Sequence, residues 1–201
     1  MPRKPMYDGG TANKMTEVAA KMFFENGYEG TSVRSIVKET GCEVGLFYYY
    51  FKNKDELFSA VIENFFAPYE KEAERIVKSV EKNPDKGLLH FFEYMKKEVR
   101  VFRGTYAKNM HKTVRLAIRE QTLINIEPYI ERIIVALIKD GANPVADVKT
   151  SAVFLSHGVG SIILHEDSEW VDTVSDELRR AVNKLMGLSP EKAKLMFEEK
   201  K

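Results

Sequence analysis

Residues 31–58, TSVRSIVKETGCEVGLFYYYFKNKDELF, constrain the fold more tightly than any other stretch of the chain. Thr31 and Ser32 supply hydroxyl caps for a short helix whose apolar side carries Val33, Ile36 and Val37. Gly41 stands where that helix must end in a residue free to take positive φ, and Cys42 and Glu43 make a tight turn. A second helix is expected over 44–51, with Phe47, Tyr50 and Phe51 turned inward. Two short helices joined by a glycine-containing turn make a helix-turn-helix, whose second helix has the dimensions to lie in a DNA major groove. Asn53 then caps a further helix with Lys54, Asp55 and Glu56 in its first turn and Leu57, Phe58 and Val61 inward.

The rest of the chain carries the same helical period. Met15, Val18, Ala19, Met22 and Phe23 recur at helical spacing from Thr11 to about Asn26, and Gly27 closes that helix. Pro68 predicts a break or kink near Ala67, read as dividing 54–66 from 68–81, and Pro128 predicts a kink or split in a long helix over 112–139. A helix over about 85–103 ends at Gly104, leaving 105–111 as a short separate helix. Residues 140–144 are the clearest linker in the second half. Beyond it, 147–165 and 171–187 read as two apolar-faced helices, the first containing Gly158 and Gly160, which permit close helix approach. The fold class is all-α.

Composition narrows the function. The chain has 201 residues, 44% hydrophobic and 30% charged, with a net charge of +1. That suits a globular protein with a real core, and any affinity for nucleic acid must come from local charge placement. Residues 1–55 hold eight Lys/Arg against seven Asp/Glu, so DNA binding would be moderate and salt-sensitive. The single Cys42 allows no intrachain disulfide, and its expected role is a small apolar filler in the turn. His90, His111, His157 and His165 are too scattered for a metal site. No apolar run suits a secretory signal or a membrane span, so an intracellular, cytoplasmic protein is expected. No Gly-rich phosphate loop or paired-carboxylate pattern supports an enzyme, and no cofactor is implied.

The pattern Thr40-Gly41, Gly45, Phe47-Tyr48-Tyr49-Tyr50-Phe51, Lys52-Asn53-Lys54-Asp55-Glu56-Leu57 resembles the DNA-binding signature of TetR/AcrR-type transcriptional repressors. Ala19-Ala20, Phe23, Gly27-Tyr28 and Thr31-Ser32-Val33 match the family's first helix and the start of its second, so the resemblance covers roughly residues 11–65. It implies an N-terminal three-helix DNA-binding domain over 1–54 and a larger helical ligand-binding and dimerisation domain over 55–201.

The resemblance places Val44, Gly45, Leu46 and Tyr49 near base edges, and Tyr48 and Lys54 on phosphates. Arg34 and Lys38 on the exposed side of the second helix are either further phosphate contacts or a solvated face, and Arg3 and Lys4 are either a basic arm on the DNA or part of a disordered tail. Glu43 either accepts from a cytosine amino group or faces the helix N-terminus as a dipole partner. Family members often carry a hydroxyl residue at 43, a basic residue at 44 and a hydroxyl residue at 46. Here stand Glu43, Val44 and Leu46, which leaves no arginine fork for guanine. Readout then relies on thymine methyls, tyrosine hydroxyls and DNA shape.

The resemblance also implies a small-molecule pocket and a homodimer. Phe92, Met95, Phe102, Tyr106, Met110, His111, Tyr129, Phe154 and His157 are the candidate pocket residues, suited to an apolar or amphipathic effector. Helices 147–165 and 171–187 are the expected dimer interface, paired as a four-helix bundle. The expected function is a repressor released from its double-stranded DNA operator by that effector. The alternative is a helical small-molecule sensor whose DNA binding is weak or lost, given Val44 and Leu46.

Overall fold

The computed structural model describes residues 10–84, 87–107 and 109–197. The basic arm at Arg3 and Lys4 lies outside them. Every regular element among the described residues is helical: α1 Thr11–Asn26, α2 Val33–Thr40, α3 Val44–Tyr50, α4 Lys54–Lys82, α5 Gly87–Phe102, α6 Lys112–Lys139, α7 Val148–Phe154, α8 Gly160–Ile163, α9 Ser168–Thr173, α10 Ser175–Met186 and α11 Pro190–Phe197.

The chain forms two compact units that are discontinuous in sequence. The first takes in the chain up to Pro68 together with Tyr106–Ile118; the second takes in Tyr69–Thr105 and the chain from Arg119 onward. The span 1–54 is therefore only part of the compact unit that contains it. In the first unit α1 packs on α2 and α3, with Met15, Ala19, Phe23, Ile36, Phe47, Phe51 and Leu57 buried. The second unit is built on an apolar core from Ala73, Ile76, Val77, Phe91, Ile130, Ile133, Ile134, Ala152 and Leu155.

Neither proline breaks its helix: α4 runs unbroken through Pro68 and α6 through Pro128. Proline removes one N–H donor and strains the preceding turn, and packing on either side carries the helix across. After Pro68, the Tyr94 hydroxyl donates to the Tyr69 carbonyl at 3.1 Å and the Tyr129 hydroxyl to the Glu70 carbonyl at 3.5 Å. Around Pro128, Ile126 and Ile130 are both in the core.

Other boundaries also depart from the periodicity. The expected short helix at 105–111 is replaced by a π-helical turn over Arg103–Ala107 that continues α5. The expected helix 147–165 is α7 and α8 joined by a second π turn, Leu155–Val159, which holds Gly158. The expected helix 171–187 is split by Val174 into α9 and α10. Ile138 and Val153, on otherwise apolar stretches, are exposed.

Candidate nucleic-acid interface

The approach to α2 is set by hydroxyls. Thr31 is fully buried, and its side chain donates to the carbonyls of Gly27 at 2.9 Å and Met22 at 3.1 Å, tying the start of α2 to the end of α1. Ser32 is the N-cap: its Oγ accepts from the Ser35 amide at 3.0 Å, while Ser35 Oγ accepts from the Ser32 amide at 3.1 Å. Gly41 ends α2 in the left-handed region at φ 70°, and the Cys42 amide reaches back to the Val37 carbonyl at 3.2 Å. That closure leaves Cys42 half-buried in the turn.

α3 then divides its residues between inside and outside. Phe47 is fully buried and its ring lies 5.8 Å from that of Phe51. Positions 44, 45, 48 and 49 share the opposite strip, since residues four apart on a helix stack on one face. There Val44 is 50% exposed, Tyr48 57% and Tyr49 78%. Gly45 lies open: a β-carbon built on it would meet nothing within 4 Å. Leu46 and Tyr50 are half-buried, so only part of Leu46 faces outward. Glu43, the N-cap residue, is exposed and makes no side-chain cap bond. Arg34 and Lys38 are exposed on α2.

Lys54 is also engaged within the unit. Its ammonium donates to the backbone carbonyls of Tyr28 at 2.9 Å and Thr31 at 3.2 Å, and sits 3.9 Å above the Tyr28 ring. Two of its three protons are thus committed inside the unit, where its charge ties the α1–α2 connection to the start of α4. Beside it the Tyr28 hydroxyl donates to the Asp55 carboxylate; that bond, with some burial, pushes the Tyr28 phenol up to about 12. The start of α4 is capped by Asn53, whose side chain accepts from the Glu56 amide at 2.8 Å.

The nine candidate pocket residues are divided between the two units. Tyr106, Met110 and His111 belong to the first unit, because the chain passes between units at Thr105 and Tyr106. In the second unit Phe92 and Met95 are buried in the core, and Tyr129 packs against it. Phe102 is half-buried, as is His157, whose Nδ1 faces the buried Ser156 hydroxyl at 3.0 Å. Phe154 is 63% exposed. The second unit also carries an open hollow of about 470 Å³ lined by Glu81, Arg132, Val135, Lys139 and Asp140 among others; none of the nine lines it. Arg132 there bridges Glu74 at 2.5 Å and Glu81 at 2.8 Å, which holds both carboxyls below their ordinary range.

Residues 16–61 match the family model for bacterial regulatory proteins of the tetR family. Over those residues the chain carries the DNA-binding domain of the tetR family. Among curated TetR-like relatives it is 31% identical over 85 residues to an uncharacterised HTH-type transcriptional regulator from the lacX 3′ region of Lactococcus lactis, covering 42% of this chain and 43% of that protein. It is 32% identical over 74 residues to the HTH-type transcriptional repressor ComR of Escherichia coli, covering 37% and 35%. The aligned stretch thus spans less than half the length of these curated relatives. The TetR-type fold extends over the whole chain. The structure of RolR in complex with resorcinol aligns at a TM-score of 0.61 and 15% identity, covering 94% of each chain. The SmeT–triclosan complex aligns at 0.59 and 19% identity, covering 87% of this chain and 85% of that one. No described helix is long and apolar enough to cross a membrane.

Proposed function

We propose that this TetR-family chain is a homodimeric, sequence-specific DNA-binding transcriptional repressor acting in the cytoplasm, released from its operator by a small apolar or amphipathic effector. One observation carries the reading: Val44, Gly45, Tyr48 and Tyr49 form a continuous exposed strip on a short helix that Phe47 anchors. A large aromatic side chain left 78% exposed is costly to present to water without a purpose, and an open glycine beside it gives a DNA backbone close approach. Val44, Gly45, Tyr49 and the outward part of Leu46 meet base edges, while Tyr48 and Arg34 meet phosphates. Glu43 tops the same strip. Lys54 positions α4 instead of touching DNA.

The resorcinol and triclosan bound by RolR and SmeT support a small aromatic effector in the second unit. Such a ligand acts on the first unit through the helices that contribute residues to both, α4 and α6. Dimerisation through the α7–α8 and α9–α10 runs provides the second half-site reader. The test is fluorescence anisotropy on the DNA upstream of its own gene, over a salt series, with Tyr49→Ala and Arg34→Ala beside the wild type. Tight binding over random sequence, weakened by both variants, supports the reading.

A second reading is a ligand sensor with weak DNA binding. It is favoured by the absence of any basic residue along α3. Equal, feeble binding to every duplex selects it.

A further inference from the structure

His111 lies outside the helix-turn-helix in sequence yet inside its compact unit. Its backbone amide donates to the Phe24 carbonyl at 2.5 Å. That carbonyl is in the last turn of α1, where the helix offers no donor of its own. Its imidazole lies flat against Gly27: a β-carbon there would fall 2.5 Å from Nδ1, 2.7 Å from Cε1 and 2.9 Å from Cγ. Gly27 is also held at φ 77°, so glycine is demanded twice at this position, by its torsion and by the ring. The ring is in turn fixed by the first turn of α6, its Nδ1 lying 2.8 Å from Thr113 Oγ1 and 3.4 Å from the Thr113 amide. His111 stays exposed on its outer side, while Met110, Val114 and Ile118 nearby in sequence are buried.

The turn beneath the ring is the one from which the reading helices hang. The Gly27 carbonyl receives Thr31 Oγ1 at the approach to α2, and the Tyr28 carbonyl receives Lys54 Nζ at the start of α4. We propose that His111 is a positioning residue for the helix-turn-helix, a latch by which the first turn of α6 holds the 27–31 turn and hence α2 and α3 in place. The histidine serves here as packing and cap, not as a ligand group. The proposal builds on the reading of this unit as a DNA reader, but its test uses no DNA and can fail separately.

The chain supplies its own two probes. Cys42, the single cysteine, sits in the turn between α2 and α3, and Trp170, the single tryptophan, is in α9 of the second unit. The full-length protein is reacted with a chromogenic aromatic disulfide, and unfolding is followed by Trp170 fluorescence, for wild type, His111→Ala, His111→Asn and Gly27→Ala. Asparagine keeps a cap for α6 but places no ring on Gly27. The expected result is Cys42 reacting roughly three- to ten-fold faster in all three variants, the scale of local opening when one packed contact is lost, with the Trp170 midpoint unchanged. Three results would each overturn the latch: an unchanged Cys42 rate, recovery of the wild-type rate in His111→Asn, or a Trp170 midpoint that falls in step with the Cys42 rate.

Discussion

Lys54 stands over Tyr28, its ammonium 3.9 Å from the ring centroid and bonded to the Tyr28 and Thr31 carbonyls. A lysine so placed is a fastener between three helices. Lys54→Met is therefore expected to lower stability by about 1–2 kcal/mol, the worth of hydrogen bonds from a charged donor, while leaving the salt dependence of DNA binding unchanged. Arg34→Ala should do the reverse, with an unchanged melting temperature and a log–log salt slope shallower by about one. Thermal melts and anisotropy over a salt series separate the two residues.

Gly45 makes a sharper case, because nothing inside the fold requires it. It has no positive φ, and a β-carbon there would meet open space. Glycine within a helix costs up to about 1 kcal/mol relative to alanine, so Gly45→Ala should raise the melting temperature slightly. The same substitution should weaken DNA binding several-fold by holding α3 off the groove. A variant that is more stable and binds as well as wild type would remove Gly45 from the interface.

The Tyr28–Asp55 bond gives the first unit an alkaline limit. The phenol titrates at about 12 in the folded chain against 10.0 for the free group, so the folded state holds that proton more tightly. Stability from this bond is complete below pH 10 and is lost as pH rises through about 12. Phenolate absorbance should show Tyr28 among the late-titrating tyrosines, together with Tyr94 and Tyr129, whose phenols burial also pushes up. Tyr28→Phe should remove one tyrosine from that late step and flatten the stability curve between pH 10 and 12.

Local chemistry made the first three helices legible in the sequence. Gly27 and Gly41 are the stops they appear to be, and Ser32 is a cap because its partner Ser35 lies three residues away. Phe47 and the strip at 44, 45, 48 and 49 follow from helical period alone. Less legible was what is decided at long range. Pro68 reads as a break because no local rule announces Tyr94 and Tyr129 at the next two carbonyls. Lys54 reads as a phosphate contact because its carbonyl partners lie 23 and 26 residues earlier. His111, read as a ligand residue, carries no sequence sign that it belongs against Gly27. The nine pocket candidates share only residue type, which does not reveal that three of them lie in the other unit.

Phe154 supplies the test of the dimer. It is 63% exposed on α7, with Val153 exposed beside it, and Gly158 lies open one turn on, where a β-carbon would meet only the edge of Phe154 itself at 3.9 Å. An exposed phenylalanine next to a shallow glycine notch is a self-complementary surface for a twofold axis, since each copy offers both knob and hole. Phe154→Glu places a charge on that axis opposite its own copy. The expected outcome is a shift from dimer to monomer in sedimentation velocity, with helicity and melting temperature at high protein concentration falling only modestly. DNA binding should fall with it, because one copy meets one half-site. A variant that sediments as the wild-type dimer would place the interface elsewhere on the second unit.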